Sequence, residues 1–419
     1  VVLKKGSRVR LTTYDVPGTE SEISTNFKRL PQTVSKGSQI LLDAGVAEDP
    51  HQPIEPVRGK PPVEAPAATP EQRPRPEDVG ALVQRAAGAA FIVHEFAGDL
   101  RRAGVLDVEV AADGAVWAGT CAGLLKHVPA AGRWTLYGPA SGLPGNRVAE
   151  LAVRPDGILA LAYRTDSPQS PQIINWAGIH RLDPRDGSWT PWTSEAGPAA
   201  ELKGDAAAVW LKLAAAIRIL ERDRPEPLTI EVVERAPLLE SSISGLAVAG
   251  PRIWRSTRGT YDEAAKGMKN GGVAGYDRER RQWEWFTEAD GLAHGACWDV
   301  AADEREVWAV HGDTARGASV RDPATGKWSG KLTSANGLPL GGYRIVLDGD
   351  TAWIGQADGL LRLDRRDRVA VRFTPKEGFP EGAVYALASA PDAVWAGVTS
   401  WVVNGNARRT ALVRISKTR

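Results

Sequence analysis

From residue 91 to the C-terminus the chain is a succession of short apolar runs punctuated by Gly, Pro, Asn and Asp, about four runs in every 40–50 residues. One run in each group centres on a tryptophan in a near-constant setting. The settings are Val-Trp-Ala-Gly at 116–119, Val-Trp-Leu at 209–211, Ile-Trp-Arg at 253–255, Val-Trp-Ala at 307–309, Ala-Trp-Ile-Gly at 352–355 and Val-Trp-Ala-Gly at 394–397. The tryptophans recur about every 45 residues, and the first interval, 93 residues, is two periods with one tryptophan missing. A repeat of this length builds a solenoid, a propeller or an array.

Laid over one another, the groups share an order: an inner strand, a turn often carrying Asp-Gly, the tryptophan strand, a hairpin, then a glycine-led third strand such as 123–127 or 359–364. A fourth strand such as 133–137 follows, and a Gly-Leu-Pro type loop closes the unit, as at 142–144 and 337–339. Four short strands per unit predict an all-β chain, a seven-bladed β-propeller of four-stranded antiparallel blades. The blades fall near 105–145, 146–199, 200–239, 240–295, 296–342, 343–382 and 383–419. The last ends on its third strand, and 91–96 is expected to supply the fourth, removing the exposed edges of an open ring. The strand tryptophans, and Trp134, Trp189, Trp283 and Trp328 on fourth strands, are expected to pack the blades together. The propeller is thus assigned to 91–419. Residues 1–48 form a β-rich fragment with strand candidates at 8–11 and 39–42, and 49–90 a proline-rich linker with a short helix over 79–90.

Composition narrows the partners. The apolar fraction of 42% and charged fraction of 25% are those of an ordinary soluble globular protein. A net charge of +1 argues against a nucleic-acid surface, which shows a basic excess. Cys121 and Cys297 fall in different repeats and supply neither a zinc site nor a disulfide framework. No run of eighteen apolar residues predicts a membrane span. No leader is visible before Val1, so the expected compartment stays open between the cytoplasm and, with a clipped leader, the periplasm or exterior. No phosphate loop, nucleophile elbow or zinc helix occurs, and neither cofactor nor metal is expected.

The unit Asp-Gly-Ala-Val-Trp-Ala-Gly-Thr at 113–120, with the strand 123–127, Gly-Arg-Trp at 132–134 and Ser-Gly-Leu-Pro-Gly-Asn at 141–146, resembles the two-component-regulator propeller repeat. The resemblance covers roughly 105–419 and is weakest over 200–233. It implies a ligand-sensing module; the membrane helix and histidine kinase often joined to such repeats are not seen here. A second resemblance lies in Leu-Thr-Thr at 11–13, Phe-Lys-Arg-Leu-Pro at 27–31 and Lys-Gly-Ser-Gln-Ile-Leu-Leu-Asp-Ala-Gly at 36–45, which look like part of the pyruvate kinase lid domain. Ala44 stands where that family has a second aspartate, and neither the barrel nor its metal carboxylates follow. Pyruvate kinase activity is not expected.

In a propeller the hairpins between second and third strands emerge on the same face as the loops between blades. Four of these hairpins are long, which makes that face the expected site. They carry Arg164 and Asp166 in blade 2, Arg258, Tyr261, Asp262 and Lys266 in blade 4, His311 and Asp313 in blade 5, and Trp401 in blade 7. The blade 4 group suits a carboxylate or phosphate, His311 with Asp313 an oriented base, and Trp401 a stacking platform, although the first two also read as solvated loops and Trp401 as packing. The favoured expectation is a non-catalytic, sensor-like module that takes a small molecule, glycan or protein segment on this face. A propeller hydrolase or lyase with an axial site, using inner-strand acids such as Asp107, Glu109, Glu150 and Asp299, is one alternative. A protein-interaction scaffold is the other.

Overall fold

The structure is a computed structural model. It describes residues 10–12, 22–24, 77–79, 83–87, 91–97, 100–101, 103–165, 174–193, 201–204, 208–212, 216–221, 228–231, 243–262, 267–269, 271–312, 317–332, 341–401 and 407–417. The chain divides into two compact units, Val1–Ala67 and Ala68–Arg419. In the first, Arg10–Thr12 pairs in parallel with Glu22–Ser24. The strand expected at 39–42 lies outside the described residues.

The second unit holds seven antiparallel sheets of four or five strands. Their inner strands are Val105–Val110, Arg147–Arg154, Glu201–Gly204, Ile243–Ala249, Cys297–Ala302, Arg344–Asp348 and Ala383–Ser389. Each inner strand packs against the next, and the seventh packs against the first, so the ring is closed and the fold is a β-propeller. The last sheet is completed from the other end of the chain, by Phe91–Glu95 paired with Ala407–Ser416.

Seven apolar clusters fill the gaps between neighbouring sheets. Six contain a second-strand tryptophan: Trp117, Trp210, Trp254, Trp308, Trp353 or Trp395, each at most 3% exposed. In the cluster between blades 2 and 3 the corresponding register position is Leu159, opposite Ala152 as Trp117 is opposite Glu109. That leucine explains the double interval in the sequence. Both faces of a blade are covered, so the tryptophan strands are buried throughout rather than on alternate residues. Loss of such a ring would cost about 3–5 kcal/mol.

The glycine that ends the Trp-Ala-Gly and Trp-Ile-Gly motifs has a separate cause. A Cβ on Gly119 would lie 2.7 Å from the Val148 carbonyl oxygen of the next inner strand. Gly355 meets the Val384 carbonyl oxygen in the same way, and across the closure of the ring a Cβ on Gly397 would meet the Val105 side chain. The motif therefore fills the gap with tryptophan and brings the backbones together at glycine.

The helix expected over 79–90 is not formed. Glu77–Val79 instead pairs with the outer strand Arg133–Tyr137 of blade 1, and Val83–Ala87 pairs with the closing strand Phe91–Glu95. A segment this short takes its structure from the open strand edge offered to it, which outweighs local helix propensity. The two strands lie on the outer edges of blades 1 and 7, either side of the closure. Among the described residues no helix is long and apolar enough to cross a membrane.

Candidate functional site

Five inner strands carry a register shift near their start, at Val105/Asp107, Val148/Glu150, Ile243/Gly245, Cys297/Asp299 and Val384/Ala386. Such a bulge sets one extra residue against the partner strand and re-aims the side chains around it. The residue after the bulge is Asp107, Glu150 or Asp299 in three blades. Arg344 takes the matching place in blade 6, opposite Gly355 as Asp107 is opposite Gly119.

These side chains meet across the axis. The Arg344 guanidinium lies 3.3 Å from Asp107, 3.3 Å from Glu150 and 4.0 Å from Asp299. The two aspartates also tie neighbouring blades together, because Asp107 accepts from the Leu151 N–H and Asp299 from the Ile345 N–H. One guanidinium thus holds three carboxylates from three other blades. Beyond this layer the channel opens into a chamber of about 230 Å³ with Lys203, Ala247, Ala301 and Val346 among its lining. Glu109, two residues on from Asp107, is largely enclosed by protein. Burial pushes its carboxyl up to about 7 and nearby Asp107 adds to the rise, while Lys203 and then Arg344 oppose it.

The mouth of the channel, at the end from which the second-to-third hairpins emerge, is aromatic. Trp298, Tyr343 and Tyr385 each directly precede the axial position of blades 5, 6 and 7. Their rings form a row, with centroids 4.7 Å apart for Trp298–Tyr343 and 4.9 Å for Tyr343–Tyr385. All three are half-buried. Burial raises the Tyr385 phenol above its ordinary range, with Tyr343 adding to the shift. Arg258, just past the end of the second strand of blade 4, continues the row: its guanidinium carbon lies 4.1 Å over the Trp298 ring. Its Nε is buried and has no hydrogen-bond partner among the described residues, and desolvation lowers the guanidinium below its usual range. Gly312 gives the indole its space, since any Cβ there would overlap Trp298.

Of the residues singled out in the sequence, Arg258 is the one placed against this surface. Arg164 is exposed and donates to the Pro144 carbonyl at 3.0 Å, bracing the loop between blades 1 and 2. Tyr261 and Asp262 lie on an added hairpin, Thr260–Asp262 paired with Gly267–Lys269, and Trp401 ends the second strand of blade 7; their side chains lie outside the described residues. Asp166, Lys266 and Asp313 are outside them entirely. His311 corrects the sequence reading: it is not an exposed base but the fully buried last residue of its strand. Its Nε2 lies 2.8 Å from Ser319 Oγ and its Nδ1 3.4 Å from Cys297 Sγ, a set sealed between blades 4 and 6. Burial pushes the Cys297 thiol well up, so it is unreactive.

The aromatic row escaped sequence reading because its members are dispersed over three repeats. The signal was nonetheless present: with blades superposed, Trp298-Asp299, Tyr343-Arg344 and Tyr385-Ala386 form one column. Among the described residues no three of His, Cys, Asp and Glu converge so as to hold a metal.

No protein-family model matches the chain. A pyruvate kinase from Thermococcus litoralis is 51% identical over 45 residues, which is 11% of this chain and 10% of that enzyme; the chain thus spans about a tenth of that relative. Among solved structures, YCF48 bound to D1 peptide covers 81% of this chain and is itself covered to 99%, with a TM-score of 0.56 and 10% identity. A streptogramin B lyase gives a TM-score of 0.54 at 13% identity, over 79% of this chain and all of that one. The WD40 repeats of RRP9 give 0.55 at 11% identity, over 80% of this chain and all of theirs. At such identities the likeness carries the fold alone: the chain is a β-propeller.

Proposed function

We propose that this propeller is a non-catalytic binding module that takes an extended protein segment at the mouth of its channel. The observation that carries the reading is the half-buried row Trp298–Tyr343–Tyr385 ending on Arg258. The two centroid separations let the row reach at most about 10 Å, the length of about three residues of extended chain. Aromatic rings with an arginine beside them are the side chains that dominate binding energy at interfaces. An elongated apolar row suits a chain better than a compact small molecule.

Further support comes from the axis. Asp107, Glu150 and Asp299 are engaged by Arg344 or by backbone N–H groups, which favours binding over a hydrolase or lyase built on those acids. The resemblance of the blade repeat to two-component-regulator propellers fits a sensing role. Of the structural neighbours, YCF48 is bound to a peptide, which fits a segment rather than a glycan as the partner.

The test is a displayed library of extended peptides panned against the full chain. Selected peptides are then titrated against the wild type and a Tyr343→Ala/Tyr385→Ala variant. The reading predicts at least roughly tenfold weaker binding to the variant at unchanged melting temperature, in line with two interface aromatics. Equal affinities would place the site elsewhere.

A further inference from the structure

Arg258 has an unusual position for a cation. Its guanidinium carbon lies 4.1 Å from the centroid of the Trp298 indole, so the ring covers one side of the cation. The Nε donor is buried without an acceptor among the described residues. A donor left unpaired is costly, and because Arg258 as a whole is half-buried rather than sealed, an incoming acceptor can complete its hydrogen bonding. The acceptor geometry matching a guanidinium edge is a planar pair of oxygens.

Resting on the binding reading above, we propose that the segment taken at the mouth carries a carboxylate, which Arg258 binds at the end of the aromatic row. The order Arg258–Trp298–Tyr343–Tyr385 sets what the segment looks like: an acidic residue followed or preceded by two or three apolar or aromatic ones. A single carboxylate is favoured over a phosphate. The axial layer next to the mouth holds three carboxylates, Asp107, Glu150 and Asp299, on one guanidinium, and this negative excess disfavours a doubly charged group. A cationic segment meets Arg258 itself. The acidic residue is therefore the recognition element, and the aromatic row supplies sequence-tolerant apolar contact.

The experiment uses two matched arrays of immobilised hexapeptides, each with a fixed Glu or a fixed Gln beside two positions drawn from Leu, Phe and Tyr, all amidated at the C-terminus. A third array carries the Gln peptides with a free C-terminal carboxylate. Full-length wild type, Arg258→Gln, Arg258→Lys and Tyr343→Ala/Tyr385→Ala are applied at equal concentration. The inference predicts that the wild type retains Glu peptides at least tenfold better than Gln peptides. Arg258→Gln loses that preference, and Arg258→Lys keeps part of it by charge without the paired geometry. Recovery of binding in the third array identifies a chain-terminal carboxylate as the source, and its failure identifies an acidic side chain. Equal retention of Glu and Gln peptides by the wild type, or a preference that survives in Arg258→Gln, overturns the carboxylate. If binding to both arrays is also lost in the tyrosine variant, the aromatic mouth stands without it; if the tyrosine variant binds as the wild type does, the mouth itself is overturned.

Discussion

Arg344 of blade 6 and Glu150 of blade 2 stand on opposite sides of the ring, and their side chains meet at 3.3 Å on its axis. Asp107 and Asp299 join the same guanidinium. All four side chains are buried or nearly so, and the attraction works at low effective dielectric while the desolvation cost is shared among several hydrogen bonds. Removing Arg344 leaves three carboxylates facing one another. Arg344→Ala is expected to lose about 3–5 kcal/mol of stability in calorimetry or denaturant unfolding. Adding Glu150→Ala should return part of that loss, because one of the repelling charges is gone. A double variant less stable than Arg344→Ala would show that Glu150 is held by other partners.

The closure of the ring is expected to weaken in acid. His94 on the closing strand and His127 on blade 1 lie 5.0 Å apart between ring centroids, 7% and 3% exposed. His127 stacks on Trp134 at 3.8 Å and His94 lies over Trp395 at 5.9 Å. Burial holds both at about 4; His127 and Arg414 press His94 further down, and the Arg133 carbonyl opposes the shift at His127. The unfolded chain, with histidines near 6.5, therefore binds protons that the folded one does not. Stability from this pair is complete above pH 6.5 and is lost as pH falls from 6.5 to about 4. At about 1.4 kcal/mol per pKa unit, and discounted for solvent screening, the loss is on the order of 2–3 kcal/mol per histidine. In His94→Phe the decline of melting temperature between pH 7 and pH 4 should be about half that of the wild type. An unchanged slope would assign acid sensitivity to other groups.

Gly397 packs against the Val105 side chain across the closure of the ring. Gly397→Ala places a methyl group inside the Val105 side chain and should cost about 1–3 kcal/mol by overpacking. The same substitution at Gly114, whose Cβ would meet nothing within 4 Å, tests backbone strain alone because that residue has φ +81°. A Gly397→Ala variant as stable as the wild type would show that the blades separate without cost at this seam.

Residues 77–95 contribute three strands to the two blades beside the closure. Phe91 packs edge-on against Phe373 and Phe379 of blade 6, while His94 faces blade 1. Deleting 1–76 should leave the melting temperature within a few degrees, whereas deleting 1–96 should lower it by roughly 10 °C or more. Equal melting of the two truncations would mean that the ring closes without this segment.

Much of the fold is legible in the sequence because each blade solves the same packing problem. A large ring must fill each gap and a glycine must admit the next backbone, so tryptophan and glycine recur together. Leu159 shows that the filler matters more than its identity. The strands at 77–79 and 83–87 were not legible, since nothing in Val-Gln-Arg-Ala-Ala at 83–87 marks a strand until the edge of 91–95 is there to pair with. His311 was misread for a related reason. A polar residue at the end of a central strand looks exposed when strands are read singly, but both faces of this strand are covered by neighbouring blades. The surface at the mouth was legible only in part: Arg258 was singled out, while the row of rings shows only when blades 5, 6 and 7 are superposed so that Trp298, Tyr343 and Tyr385 share one register position.

The most direct test of the binding mouth is hydroxyl-radical footprinting of the full chain with and without a peptide selected by panning. The account predicts protection of Trp298, Tyr343 and Tyr385 in the bound state, with the buried Trp117 and Trp308 unlabelled in both. Protection that leaves those three residues unchanged and falls instead on the exposed Val369 and Val371 of blade 6 would contradict it.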